Sequence, residues 1–219
     1  MSKVRIFAGL SALLNLAIVI AVTLAVFTRF PTVEGDIGRF QNGAKTFRYF
    51  TTDSNLFAAL AGLITLVFSL RTFFGGNGEF PLWVQTVKYI AVCSVTLTFL
   101  TVVGFLAPTQ GWGRMFGGAN LWLHLICPLL CILSYLLLES RNRLPFSATF
   151  AALIPVVLYG AVYLIAVVFV GEEGGGWNDF YGFNRSGMWF VALPLMLGVA
   201  YLVALGQRAL SLLANGRFA

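Results

Sequence analysis

The chain alternates between long apolar runs and short polar breaks. Six runs reach the ~20 residues that a helix needs to cross about 30 Å of hydrocarbon. They are about Ile6–Phe27, Thr51–Leu70, Leu82–Ala107, Ala119–Leu138, Ala148–Val170 and Gly187–Leu205. The breaks are rich in residues that stop helices: Thr28-Arg29-Phe30-Pro31, Arg71–Pro81 around Gly75-Gly76-Asn77-Gly78, Pro108–Gly118, Glu139–Pro145, and Gly171–Ser186 around Gly174-Gly175-Gly176. Lys3 and Arg5 precede the first run, as they would in a signal peptide. That run exceeds the ~7–15 residues of a signal core, and no small-residue cleavage site follows it. The pattern predicts an all-α integral membrane protein, a six-transmembrane-helix bundle forming one domain over residues 1–219 with no strong internal repeat.

Composition agrees. Hydrophobic residues make up 59% of the chain and charged residues 10%, against roughly 25% charged in a soluble domain. The net charge of +6 is scattered over the breaks, where it sets topology and meets anionic headgroups. No nucleic-acid partner is expected. The amino-terminal side collects Lys3, Arg5, Arg71, Lys88, Arg141, Arg143, Arg208 and Arg217. The other side holds Arg29, Arg39, Lys45, Arg48, Arg114 and Arg185, with the acids Glu34, Asp36, Glu172, Glu173 and Asp179. The basic bias puts both termini in the cytoplasm. Cys93, Cys127 and Cys131 all fall in apolar runs, where small buried hydrophobes are expected rather than disulfides.

One stretch stands out, Asn120-Leu-Trp-Leu-His124-Leu-Ile-Cys-Pro128, which contains the single histidine. An ionisable group in a membrane helix is costly and marks a candidate functional site. A second stretch, Thr51-Thr52-Asp53-Ser54-Asn55, opens the second run with five polar residues. Even-numbered helices start on the face opposite the amino terminus, so both stretches lie at one end of the bundle. The loop Trp177–Asn184 lies there too. Nearly all the intramembrane polar chemistry is therefore expected at that end.

A hydroxyl beside an imidazole is the minimum for acyl transfer. Thr51, Thr52 and Ser54 are rival nucleophiles, the latter two about 100° and 300° round the helix from Thr51. The amides of Thr52 and Asp53 are candidate oxyanion donors, as are the side chains of Asn55 and Asn120. Asp53 either orients the imidazole or stays solvated, and Asn178 and Asp179 can approach from the last loop, which is either a lid or a connector. The plain alternative makes Thr-Thr-Asp-Ser and Asn120 helix caps. A Cys127–His124 pair is too tethered, and apolar surroundings make a thiol inert. One histidine is too few for catalytic zinc, so neither metal nor cofactor is expected. A transporter or sensor with Asp53 and His124 as a proton relay is a reading from another class. A non-catalytic membrane protein is a third.

Phe47-Arg48-Tyr49-Phe50-Thr51 resembles the aromatic-basic-aromatic-apolar-Thr segment of the androgen-induced-gene family of membrane proteins. Asn120-Leu-Trp-Leu-His124 with Pro128 is similar to that family's Asn-x-x-x-His segment. Thr51-x-x-Ser54-Asn55-Leu56 resembles its bacterial relatives, and Trp177-Asn-Asp-Phe-Tyr-Gly-Phe183 sits where the family has an aromatic loop. The resemblance implies a threonine hydrolase of lipid esters, such as fatty-acid esters of hydroxy fatty acids. Thr51 would be its nucleophile and His124 its general base, with Thr52, Asp53, Asn55, Asn120 and Asp179 supporting the site or binding substrate. The partners it implies are membrane lipids and a lipid-ester substrate, in a bacterial cell membrane.

Overall fold

The computed structural model describes residues 3–27, 43–76 and 80–215. Arg29, Glu34, Asp36, Arg39 and Arg217, used above for topology, lie outside the described residues. Six helices are long and apolar enough to cross a membrane: α1 (Lys3–Phe27), α2 (Phe50–Phe73), α3 (Leu82–Gln110), α4 (Ala119–Glu139), α5 (Ser147–Val170) and α6 (Trp189–Ala214). The described residues contain no strand. The chain is an all-α integral membrane bundle.

Packing follows residue size. α1 packs along α2, with Ala8, Ser11, Ala12 and Asn15 of α1 and Ala58, Ala61, Thr65 and Ser69 of α2 all buried. Small side chains let two backbones approach closely, which is how helices associate where lipid offers no hydrophobic drive. A side-chain carbon added at Gly62 would meet Asn15 Oδ1 at 3.2 Å, a tight contact that Asn15 would have to yield to. α3 is central, with Tyr89, Ala91, Val92, Val95 and Leu97 all buried. α5 and α6 bury far less of their surface within the chain and present it to lipid. α6 continues well past the expected end near Leu205 because Gln207 and Ser211 still face protein. Gln207 Nε2 donates to Thr96 Oγ1 at 3.0 Å, and the Ser211 carbonyl accepts from Ser140 Oγ at 3.2 Å.

Two expectations are corrected. Polar chemistry is not confined to one end of the bundle. A buried cluster sits at the amino-terminal side, where α1 and α3 begin and α2 and α4 end. Lys88 Nζ lies 3.5 Å from Glu139 Oε2, both side chains 2% exposed. It also donates to Asn15 Oδ1. Glu139 Oε1 accepts from Ser11 Oγ at 2.9 Å and from Asn15 Nδ2, and Ser11 bonds Ser69 at 2.9 Å. Lys88 lies inside α3 near its start, where the sequence places it, but it is paired rather than free to set topology, and Glu139 does not belong to the loop that follows it. Each charge tolerates burial because the other, with amide and hydroxyl groups from α1, replaces water.

The helix-cap reading of the two polar stretches is the second. The residue capping α2 is Tyr49, and Gly118 precedes α4; neither position carries a side-chain capping bond. The hydroxyls of Thr51, Thr52 and Ser54 thus lie inside the first turns of α2, and Asn120 lies inside α4.

Candidate functional site

The two polar stretches meet. Thr51 and His124 line one polar cavity, with Tyr49, Leu106, Gln110, Arg114, Met115, Asp179 and Tyr181 among its walls. Thr51 is 7% exposed and His124 3%. The cavity measures about 570 Å³. A single water needs only about 10–15 Å³ of such volume, so water has ample room beside both groups.

α4 is not a plain α-helix at this point. Trp122–Ile126 forms a wide π turn with His124 in it. Such turns shift the hydrogen-bond register and re-aim side chains, and they recur at functional sites. His124 Nδ1 lies 2.6 Å from the Met115 carbonyl. A carbonyl only accepts, so this bond places a proton on Nδ1 and makes Nε2 the basic nitrogen. The orienting group is thus a backbone oxygen of the α3–α4 loop rather than Asp53, the carboxylate weighed for that role from the sequence. Its geometry comes from the short helix Trp112–Met115, entered through Gly111 at φ 99°, which an L side chain rarely adopts.

Of the three candidate hydroxyls, Thr51 alone lines this cavity. Thr52 is fully buried and its hydroxyl lies 3.4 Å from that of Thr46. Ser54 Oγ bonds the Thr51 carbonyl at 3.2 Å and Thr98 Oγ1 at 2.9 Å. Asp53 and Ser54 line a different groove, between α2 and α5, together with Phe47, Phe57, Leu158 and Trp177. Among the described residues no hydrogen bond joins the Thr51 hydroxyl to the His124 ring.

Asn55 ties the two stretches together. Its Nδ2 donates to the Thr51 carbonyl at 2.8 Å and to the Leu123 carbonyl at 2.9 Å. One side chain thus braces the residue bearing the hydroxyl against the neighbour of the imidazole. Among the described residues its buried Oδ1 has no hydrogen-bond partner. Replacing Asn55 with Leu removes both braces and is expected to cost about 1–3 kcal/mol of stability, read as a lowered unfolding temperature in detergent.

Asn120 Nδ2 donates to the Arg114 carbonyl at 3.1 Å and so pins the loop that carries Met115. Asp179 is spent within the last loop. Its Oδ1 accepts from Tyr163 Oη at 2.7 Å and from the Phe183 amide at 2.9 Å, and its Oδ2 accepts from the Asn184 amide at 2.9 Å. With Tyr163 stacked edge-on against Trp177, Phe180 and Phe183, this carboxylate gives the loop a fixed shape. The amides proposed from sequence as oxyanion donors are also committed. Those of Thr52 and Asp53 both donate to the Tyr49 carbonyl, at 2.9 and 3.3 Å.

A second cavity of about 170 Å³ opens from the same place between α3, α5 and α6. Its walls are apolar, with Leu97, Val102, Val156, Leu164, Leu193 and Met196 among them. Thr51, Leu106 and Tyr181 line both cavities and so stand at the boundary between them, the neck of the site. Hydropathy could not find this neck, because Leu106 and Tyr181 lie far from Thr51 in sequence. Among the described residues no three His, Cys, Asp or Glu side chains gather where they could hold a metal ion. The three cysteines are buried free thiols.

No protein-family model, no curated protein and no solved structure matches this chain.

Proposed function

We propose that the chain hydrolyses a lipid ester through an acyl-threonine intermediate. One observation carries the reading: Thr51 shares a water-accessible cavity with His124 and also borders an apolar cavity inside the bundle. The acyl chain occupies the apolar side and the ester carbonyl sits in the neck. Thr51 Oγ1 attacks the carbonyl carbon while His124 Nε2 takes its proton. The tetrahedral intermediate collapses, and the departing alkoxide recovers that proton from His124. Water from the polar cavity, deprotonated by the same nitrogen, then releases the fatty acid and restores Thr51. The resemblance to the androgen-induced-gene family supports the same pair of residues. The bacterial cell membrane, with cytoplasmic termini, is the setting that the resemblance and the basic residues favour.

The test is covalent labelling of the purified chain with a fluorophosphonate carrying a fatty chain, which captures activated hydroxyl nucleophiles. Wild type and Thr52→Ala are expected to label, whereas Thr51→Ala and His124→Ala are not. Undiminished labelling of Thr51→Ala would reject the assignment.

A second reading, a proton-coupled transporter, is favoured by the Lys88–Glu139 cluster, which gives the bundle a polar site near each face. Against it, no member of that cluster lines either cavity that reaches Thr51. Proton-driven uptake into vesicles that is lost in Glu139→Gln, with no labelling of Thr51, is the result that would choose transport.

A further inference from the structure

The geometry points to Tyr181 as the hydrogen-bond donor to the oxyanion in the Thr51 reaction, a catalytic role for a residue of the α5–α6 loop. The inference rests on the hydrolase reading. It starts from a shortage of donors. A tetrahedral intermediate at Thr51 places negative charge on the former carbonyl oxygen, and a site that speeds acyl transfer offers that oxygen preorganised N–H or O–H groups. The amides on either side of Thr51 are committed. The amides of Thr52 and Asp53 go to the Tyr49 carbonyl, and both hydrogens of Asn55 Nδ2 go to carbonyls. The Phe50 amide donates to Tyr181 Oη at 3.2 Å.

That last bond is informative. It fixes the Tyr181 hydroxyl one residue from Thr51 and uses the oxygen as acceptor, so the phenolic proton points elsewhere. Leu106, Thr51 and Tyr181 are the residues common to both cavities. Leu106 has no polar side-chain atom, and the Thr51 hydroxyl is the nucleophile. Tyr181 is therefore the neck side chain with a proton to donate, and its hydroxyl also lies within hydrogen-bonding reach of the Tyr159 hydroxyl.

The loop holds the ring in place. The Tyr181 amide donates to Tyr163 Oη at 3.2 Å, and Tyr163 in turn donates to Asp179. The ring packs against Phe180 at 4.7 Å and Phe183 at 5.4 Å between centroids. Burial pushes the phenol above its ordinary pKa, so the group keeps its proton through the neutral range. Tyr159 offers no such proton, because it donates to the Arg48 carbonyl at 2.6 Å. During attack the Thr51 oxygen–carbon bond forms and the carbonyl π pair moves onto oxygen. Tyr181 stabilises that oxygen without transferring its proton.

The test uses the purified full chain, a p-nitrophenyl fatty ester and a matched pair of inhibitors. A fatty trifluoromethyl ketone adds to the nucleophile and forms an oxyanion; the corresponding methylene ether does not. Tyr181→Phe is expected to lower kcat about 10²-fold with KM within about twofold. It should weaken the ketone by a similar factor and leave the ether unchanged. A merely structural role would weaken both inhibitors alike, and that result would overturn the inference. Should Tyr181→Phe fail to fold, 3-fluorotyrosine at position 181 keeps the hydroxyl and makes it a stronger donor. It should bind the ketone several-fold tighter relative to the ether, and an unchanged ratio counts against the role. Thr51→Ala separates the two levels. If it retains hydrolysis, the threonine reading itself falls. If it is dead while Tyr181→Phe turns over at the wild-type rate, only the Tyr181 role falls.

Discussion

Thr51→Ala is expected to lower kcat/KM for a fatty ester by about 10³-fold or more, a loss of about 4 kcal/mol in transition-state stabilisation. His124→Ala should lose about as much. The two groups act on one proton transfer, so removing the second after the first costs little more. The double variant is therefore expected to match the single ones, and multiplied losses would show that they serve different steps. The residual rate comes from substrate binding and oxyanion donors other than these two side chains, which neither substitution removes. Thr52→Ala and Ser54→Ala are the controls. Their hydroxyls engage Thr46 in one case and Thr98 in the other, and their kcat/KM values should stay within a few-fold of wild type. Steady-state kinetics on the five variants in one detergent decides the matter.

Lys88→Met is expected to destabilise the bundle by about 3–5 kcal/mol. The substitution leaves Glu139 buried beside Ser11 and Asn15 without its lysine partner, and an under-compensated charge is more costly than the pair itself is stabilising. Glu139→Gln, which strands Lys88 instead, should cost a comparable amount. Lys88→Met combined with Glu139→Leu removes both charges and should recover most of the loss. Unfolding in mixed micelles at fixed detergent composition reads all three. An undiminished loss in the double variant would mean that the charges matter for something other than each other. The cluster joins α1, α2, α3 and α4, whereas α5 and α6 take no part. The four-helix part should therefore resist unfolding longer than α5 and α6, whose looser packing leaves the apolar cavity beside Thr51.

The amino-acid sequence by itself determined the six spans, because a bilayer demands about 20 apolar residues in every crossing and composition reveals that directly. It also brought the Thr51 and His124 stretches to one end, since alternate helices must run in opposite directions. Hydropathy reports depth along the membrane normal and carries little information about rotation round each helix. Tertiary packing decided that rotation, and with it which of Thr51, Thr52 and Ser54 borders the cavity that holds His124. The π turn at Trp122–Ile126 and the Met115 carbonyl behind the imidazole depend on backbone register, which side-chain composition does not encode. The pairing of Lys88 with Glu139, and of Tyr181 with the first amide of α2, joins residues far apart in the chain. Each partner taken alone reads as a loop charge or an interfacial aromatic, and only the packed bundle, by removing water from both, makes them depend on one another.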